Sequence, residues 1–308
     1  MRKLLLAVCW SAAFLALRAE AAAPNALPSR PIPAVEHVVI IIVDGLRPDV
    51  LLLADAPALH AMARGGAYTF WARTTDVAVT LPSCTSMLTG VKPEKHGVNW
   101  NVHLPMFKHS YPNVPTVLEM ATRAGYATAM VAGKSKFTAL CKPGTVTHVS
   151  VPTAAKISDE EVGSTAVELI LHDHPALLCI HFPDVDFAGH SKGWGSPEQL
   201  AQVAKTDAQV ARVLAALDRA GLRNSTVVLV TADHGGAGKK HGADDMHSRY
   251  IPWIVSGPGV RPGYDLTRES NRQVITEDTC ATVCWLLGLP QQPYFDGQPV
   301  TAAFALAP

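Results

Sequence analysis

The chain has 308 residues, and 48% of them are hydrophobic, so it is long enough to bury a sizeable core in one large α/β domain or two ordinary ones. Its 26 Lys and Arg residues balance its 26 Asp and Glu residues, which makes the formal net charge zero. A nucleic-acid-binding protein usually carries a basic excess or a basic stripe, and the composition shows no sign of such a surface.

The N-terminus has the pattern of a secretory signal peptide. Arg2 and Lys3 precede an apolar run over residues 4–17, and the small residues Ala19 and Ala21 fit a cleavage site. The run is shorter than the ~20 apolar residues that a transmembrane helix needs, so we expect no membrane span once the signal is removed. We therefore expect a signal peptide over residues 1–21, a flexible tether rich in Ala and Pro over residues 22–35, and a single domain over residues 36–308. The pattern predicts export, to a periplasm or to the medium.

Five apolar runs predict buried strands. The first, "HVVIIIV" at residues 37–43, is a continuous β-branched run, which is typical of a strand that is buried on both faces. The remaining runs occupy residues 127–133, 176–182, 225–232 and 250–257. The last of these contains a proline, which is expected near the start of a strand or in an edge strand.

Helical patterns lie between these runs. The predicted helices span residues 116–124, 158–171, 196–220 and 276–287, and the second opens with a capping box at Ser158. Strands that alternate with helices predict a mostly parallel sheet covered on both faces, which is a three-layer α/β/α sandwich. Residues 91–115 are predicted to form a long surface excursion of the kind that often carries recognition.

Aspartate and histidine side chains follow three of the predicted strands. In open α/β sheets, ligands bind beyond the carboxyl ends of the strands. Taken singly, each of these motifs is usually a turn, a cap or a surface feature. Together they predict a site made of Asp44, Asp186, His190, Asp233, His234 and His241.

A mixed set of carboxylates and imidazoles suits zinc, with manganese as the second choice. Six ligands are too many for one tetrahedral ion, but they fit two ions ~3.5–4 Å apart, which can clamp an in-line phosphoryl displacement. Thr80 opens the segment "TLPSCTSMLTG" and is either a helix cap or a nucleophile that a metal activates. Pro82 suits the first turn of a helix, whose N-terminus would present N–H groups to a phosphate.

The pattern resembles the alkaline phosphatase superfamily and, within it, the type I phosphodiesterase/nucleotide pyrophosphatase family. The resemblance runs from "VDGLRPD" to "IPWIVSGPGV" and includes Thr80-Leu81-Pro82, Thr89-Gly90, Pro93 and His96-Gly97. It implies an alkaline phosphatase-like fold, two zinc ions and Thr80 as the nucleophile. One ion would be held by Asp186, His190 and His241, and the other by Asp44, Asp233, His234 and Thr80.

The resemblance also implies a group that binds the phosphate. Asn101 would contact a phosphate oxygen, with Asn99 as the alternative, and Ser83 stands where the family often has an asparagine. His247 competes with His241 as the last metal ligand. We favour His241, because "HG" ahead of "IPW…GPG" matches the family pattern.

We therefore expect a two-zinc phosphoric ester hydrolase that acts on a small phosphate ester. A phosphodiesterase or nucleotide pyrophosphatase with a phospho-threonine intermediate is favoured. The alternative is a phosphomonoesterase on the same scaffold, which would use further cations such as Arg47 or Lys134. A sulfatase is less favoured, because that branch resembles Cys/Ser-x-Pro-Ser-Arg and here the first and fifth positions are Thr80 and Cys84. A different class is a catalytically silent binding protein.

Other polar side chains are expected to have structural roles. Lys134 and Lys136 follow the end of a strand and could touch an anion, although solvated lysines are favoured. His181 is expected to support a neighbouring ligand. The cysteines beyond the signal are expected to be small buried apolar residues, because their spacing does not indicate a disulfide scaffold. They are Cys84, Cys141, Cys179, Cys280 and Cys284.

Overall fold

The computed structural model describes residues 29–104, 110–153, 156–242, 244–269 and 271–305. The predicted signal peptide lies outside the described residues. Among the residues described, no helix combines the length and the apolar character that crossing a membrane requires.

An eight-stranded sheet runs through the described part of the chain, in the order β4-β3-β5-β1-β6-β7-β2-β8. The strands are β1 (His37–Val43), β2 (Ala67–Arg73), β3 (Thr128–Ala132), β4 (His148–Ser150), β5 (Leu177–Phe182), β6 (Thr226–Thr231), β7 (Tyr250–Ser256) and β8 (Tyr264–Asp265). Strand β7 is antiparallel to both of its neighbours, and the other strand pairs are parallel. The prediction of a mostly parallel sheet is confirmed.

The centre of the sheet is buried on both faces, as the continuous apolar runs predicted. Strand β1 lies between β5 and β6, and every residue from Val38 to Val43 is buried. All residues of β3, β5 and β6 are buried as well. Such strands read as apolar throughout because both of their faces meet helices rather than water.

Two groups of helices cover the sheet. The helices are α1 (Pro48–Leu53), α2 (Pro57–Gly65), α3 (Thr80–Thr89), α4 (Pro93–His96), α5 (Val117–Arg123), α6 (Asp159–His172), α7 (Asp184–Lys192), α8 (Pro197–Arg219), α9 (Met246–Arg249) and α10 (Asp278–Leu286). Helices α1, α2, α6 and α7 pack against α8, whereas α4, α5 and α10 pack against α3. A helix of each group packs against β3, α6 from the first and α5 from the second. Every residue of β3 is buried, so both faces of the sheet are covered there. The predicted three-layer α/β/α sandwich is confirmed.

The helix boundaries follow the capping signals of the sequence. Ser158 caps α6: its backbone N–H donates to the Glu161 carboxylate at 2.8 Å, and its hydroxyl accepts from the Glu161 N–H at 3.3 Å. Thr116 and Ser196 cap α5 and α8 in the same way, each accepting from the backbone N–H three residues on. These three predicted helix starts are confirmed.

The proline of β7, Pro252, is the third residue of the strand and so lies near its start, which is one of the two predicted places, but the strand is interior and not at an edge. In the register of β2 and β7, Thr69 faces Trp253 and Ala72 faces Ile251, so two residues of β2 lie opposite Pro252. This irregularity interrupts the hydrogen-bond ladder where proline has no N–H to offer. The bulge explains how an interior strand accommodates the proline.

The described end of the predicted tether is packed on the domain. Ile32 is 9% exposed and Val35 is fully buried, and both belong to the core. The Glu36 N–H donates to the Ser225 carbonyl at 2.8 Å. The apolar side chains of this segment therefore place the start of the domain several residues before the predicted boundary at residue 36.

The cysteines beyond the predicted signal are all free, and four of the five are buried. The four buried ones are Cys84, Cys179, Cys280 and Cys284. This agrees with the expectation that they pack as small apolar residues.

Candidate metal centre

The six predicted metal ligands form two clusters at one edge of the sheet. Within each cluster the ligand atoms lie within 4.8 Å of one another. The sheet order explains this gathering, because β5, β1 and β6 are adjacent and parallel and their carboxyl ends meet at the same edge. One cluster is Asp186, His190 and His241, and the other is Asp44, Asp233 and His234.

The two clusters are neighbours and form a single centre. The rings of His234 and His241, one from each cluster, stack with centroids 3.7 Å apart and planes at 13°. The Lys134 ammonium lies between the clusters, with Nζ at 2.6 Å from Asp44 Oδ2 and at 2.6 Å from Asp186 Oδ2. A phosphate group is small enough to span such a pair of adjacent cation sites.

The three histidines are oriented by backbone carbonyls. Nδ1 of His190 lies 3.0 Å from the Lys239 oxygen. The Nδ1 atoms of His234 and His241 lie 2.8 and 2.9 Å from the oxygens of Gly235 and Ala78. A carbonyl oxygen only accepts, so each Nδ1 carries a hydrogen, and in the neutral form of the ring Nε2 is the lone-pair nitrogen that faces the carboxylates. This is the tautomer that binds metal through Nε2.

The carboxylates carry buried oxygens that the described residues leave without a hydrogen-bond partner. These are Asp44 Oδ1, Asp186 Oδ1 and Asp233 Oδ2. Each lies 3.3 to 3.4 Å from Nε2 of His190 or His234. Because a buried carboxylate oxygen without a partner is costly, and one or two such side chains meet histidine in each cluster, the donor set fits divalent cations in both clusters.

The charges of the centre are strongly coupled. Burial by itself raises the pKa of a carboxyl group, yet Lys134 and His181 hold the pKa of Asp44 well below its ordinary value. Burial and the neighbouring Asp44 raise the pKa of Asp233 to about 8. Burial, together with His234, lowers the pKa of His241 to about 4, so this imidazole is neutral at pH 7.

Thr80 lies beside the second cluster. It is 1% exposed, and its Oγ1 is 3.3 Å from Nε2 of His234. The cap of α3 is Val79 and makes no side-chain hydrogen bond, so Thr80 is the first helical residue and not the cap. The structure therefore removes the helix-cap reading of this threonine and leaves its hydroxyl facing the centre.

Asn101 is held close to Thr80 by its side-chain oxygen. Oδ1 accepts from the backbone N–H of Leu81 at 2.9 Å and from Nζ of Lys136 at 2.8 Å. With the oxygen fixed by two donors, the amide nitrogen is the part of the side chain that is left to donate to a ligand. The alternative Asn99 is exposed.

Two other predicted side chains have partners outside the two clusters. The Ser83 hydroxyl is fully buried and pairs with Oγ1 of Thr75 at 2.9 Å, so in this arrangement it holds the loop that leads to Thr80. The side chain of His247 is 63% exposed and lies 3.8 Å from Asp245. Of the two histidines that competed for the last ligand position, only His241 belongs to a cluster.

The expectation that Lys134 and Lys136 are solvated is wrong. Lys134 is 7% exposed and Lys136 is half-buried. Both follow β3, which neighbours β5 in the sheet, so they reach the same edge as the ligands. Solvation was favoured because strand order cannot be read from position along the chain. His181, in contrast, supports a ligand as predicted, through its bond of 2.9 Å to Asp44 Oδ2.

The fold and the centre define the class of protein. A three-layer α/β/α sandwich with paired Asp/His clusters at the carboxyl edge of its sheet is the architecture of the alkaline phosphatase superfamily. The family model for type I phosphodiesterase / nucleotide pyrophosphatase matches residues 38–248, which is more than half of the chain. The chain belongs to this family.

Individual relatives agree with this assignment. Murine ectonucleotide pyrophosphatase / phosphodiesterase 5, solved as an inactive threonine-to-alanine variant with AMP, superposes with a TM-score of 0.75 at 16% identity, covering 88% of this chain and 100% of that one. The human family member 5 is 24% identical over 218 residues, which are 66% of this chain and 45% of the relative. Arylsulfatase K of Danio rerio is 35% identical over 96 residues, which are 30% of this chain and 18% of the relative. The chain thus spans less than half the length of these curated relatives.

Proposed function

We propose that the chain is a zinc-dependent phosphodiester hydrolase of the nucleotide pyrophosphatase/phosphodiesterase type, with Thr80 as its nucleophile. The observation that carries the proposal is the position of the Thr80 hydroxyl, 3.3 Å from Nε2 of His234, which belongs to the buried one of the two Asp/His clusters. A hydroxyl needs an adjacent base or a bound metal to act as a nucleophile, and the neighbouring cluster of Asp44, Asp233 and His234 can hold such a metal.

The donor set supports two zinc ions, with manganese as the second choice. Asp186, His190 and His241 would hold one ion, and the other would be held by Asp44, Asp233 and His234 together with Thr80. When bound, the ions would lower the pKa of the threonine hydroxyl and neutralise charge on the phosphate and on the departing oxygen.

Thr80 and Asn101 have separate roles in the proposed reaction. Thr80 Oγ forms a bond to phosphorus in line with the ester oxygen, which departs and leaves a phospho-threonine. Water then cleaves that bond and restores the hydroxyl. The amide nitrogen of Asn101, whose oxygen is fixed 2.9 Å from the Leu81 N–H, donates to a non-bridging phosphate oxygen as charge develops there.

Two further points support a nucleotide-like substrate and export. The murine relative was solved with AMP as an inactive variant in which threonine is replaced by alanine, which favours both a threonine nucleophile and a small nucleotide ester. The N-terminal pattern of Arg2, Lys3 and an apolar run favours export before the enzyme acts.

The test compares the wild-type chain with Thr80→Ala on a bis-aryl phosphate diester. We expect a chelator to abolish wild-type turnover and zinc to restore it. Thr80→Ala should lose more than about 1,000-fold in kcat while keeping its zinc, because only the nucleophile is removed. Thr89→Ala, the same change at the last residue of α3, is the matched control and should stay active. Wild-type-like turnover by Thr80→Ala would reject the proposal.

A further inference from the structure

A lysine without an acidic partner lies next to the phosphate-binding amide. Nζ of Lys136 donates to Asn101 Oδ1 at 2.8 Å. Within the described part of the chain, no carboxylate lies within ion-pair distance of this ammonium, although its side chain is half-buried. A partly desolvated charge that has only a neutral amide as partner is costly unless a ligand brings the opposite charge.

Two other cations close to the ligands, Lys134 and Arg47, are already paired. Lys134 Nζ contacts two carboxylates, Asp44 and Asp186, each at 2.6 Å. Arg47 donates to the Asp49 carboxylate and to the Gly236 carbonyl, the latter at 2.7 Å. Lys136 is thus the cation of this group whose charge is left to meet an anion.

We propose that Lys136 is a substrate-binding residue that lets the site accept a terminal phosphate group with two negative charges, so that phosphate monoesters form a second substrate class. The proposal rests on the proposed function, since it uses the same Thr80 and the same centre. A diester phosphate carries one negative charge, whereas a monoester carries close to two at pH 7 to 8 because its second pKa is about 6. The additional charge needs an additional cation, and the Asn101 contact places one beside the phosphate-binding amide.

The reaction balances without any further reactant. Thr80 Oγ bonds to phosphorus and the bond to the leaving-group oxygen breaks, which releases an alcohol. Water then cleaves the phospho-threonine and releases inorganic phosphate. Lys136 makes and breaks no covalent bond; it binds a non-bridging oxygen next to the one that Asn101 contacts.

The first test measures binding rather than turnover. Inorganic phosphate is titrated calorimetrically into the zinc-loaded chain, and dimethyl phosphate serves as the singly charged probe. We expect the wild type to bind inorganic phosphate more tightly than dimethyl phosphate. We also expect Lys136→Met to weaken phosphate binding about 10- to 100-fold and dimethyl phosphate binding by less than about 3-fold, since a hydrogen bond to a charged group is lost only from the former. Equal wild-type affinities, or equal losses, would overturn the proposal.

The second test compares kcat/KM for an aryl phosphate monoester and a bis-aryl diester. Lys136→Met should lower the monoester-to-diester ratio by about 10-fold or more, and Lys136→Arg, which keeps the charge, should restore most of it. Lys205→Met, which removes a lysine from an exposed position of α8, is the matched control and should leave the ratio unchanged. A monoester-to-diester ratio that is the same in Lys136→Met and in the wild type would overturn the proposal.

A double variant separates a direct contact from an effect through Asn101. If Lys136 only positioned Asn101, Lys136→Met would change nothing further in an Asn101→Ala background. We expect it to weaken phosphate binding there as well. If the zinc-loaded wild type hydrolyses neither the monoester nor the diester, the proposed function itself is rejected. If the wild type hydrolyses the diester but Lys136→Met binds phosphate as tightly as the wild type, only the role of Lys136 is rejected.

Discussion

At the scale of single residues, His241 and His247 have very different surroundings although they lie close together in the chain. His241 donates its Nδ1 hydrogen to the Ala78 carbonyl and turns Nε2 toward Asp186, 3.8 Å away. His247 is 63% exposed beside Asp245. Only His241 has a ring orientation that is fixed by a backbone carbonyl, as is typical of a metal ligand.

We therefore expect His241→Ala to reduce bound zinc from about two ions per chain to about one, because three-ligand sites lose most of their affinity with one ligand. His247→Ala is the matched control and should keep the wild-type content. Elemental analysis after dialysis against dilute zinc gives the answer. Full zinc content in His241→Ala, with a loss in His247→Ala, would exchange the two assignments.

The residues of the candidate site divide into those that the sequence could reveal and those that it could not. Asp44, Asp186 and Asp233 each follow an apolar run or its continuation, so their place at a strand end was readable from the pattern. For Lys136 the sequence favoured solvation over an anion contact, because its place near the site depends on β3 lying next to β5, and the chain inserts β4 and α6 between those two strands.

At the scale of elements, a reciprocal pair of aspartates joins the starts of α6 and α7. The Asp159 N–H donates to Asp184 Oδ2 at 2.9 Å, and the Asp184 N–H donates to Asp159 Oδ1 at 3.0 Å. Helix α7 carries Asp186 and His190. The Asp159–Asp184 pair therefore helps to hold the cluster of Asp186, His190 and His241 in place. Asp159 is 3% exposed, and burial, with Asp184 adding to it, raises its pKa to about 7.

This raised pKa predicts how stability depends on pH. The folded chain keeps the proton on Asp159 up to about pH 7, whereas the unfolded chain releases it near 3.8, so between these values the folded state binds more protons. The contribution of Asp159 to the free energy of unfolding therefore falls as the pH rises through this window and is constant above it. Relative to wild type, Asp159→Asn should gain stability from pH 4 to 7. Chemical denaturation at several pH values measures the difference, and a difference independent of pH would contradict the prediction.

The elements that the sequence revealed are those with a continuous apolar pattern or an explicit cap. Strand β1 has the predicted bounds, and the capping box at Ser158 starts α6. Strand β2 was missed because its burial is irregular along the strand, and β4 and β8 were missed because they have only three and two residues. Short edge strands bury too little apolar surface to leave a readable pattern.

At the scale of the whole molecule, the centre gathers three carboxyl groups in the interior. Asp44, Asp186 and Asp233 are 0 to 3% exposed, and Lys134 contacts two of them, Asp44 and Asp186. Cations that bind the folded chain and not the unfolded chain stabilise it by mass action, by about 2.7 kcal/mol at a free concentration 100 times the dissociation constant.

Removal of metal should therefore lower the midpoint of thermal unfolding, and the midpoint should rise again with each increase in free zinc. Thr80→Ala should keep this response, because the carboxylates and histidines remain. Scanning calorimetry with a chelator and with buffered zinc measures it. A midpoint that is the same in chelator and in zinc would show that the buried carboxylates need no cation.

The central claim is that two cations bind side by side between the strand ends and Thr80. Anomalous diffraction at the zinc absorption edge, from crystals grown with zinc, tests it most directly. The account predicts two peaks roughly 4 Å apart, one against Asp186, His190 and His241 and the other against Asp44, Asp233 and His234. A single peak, or peaks away from these side chains, would contradict it.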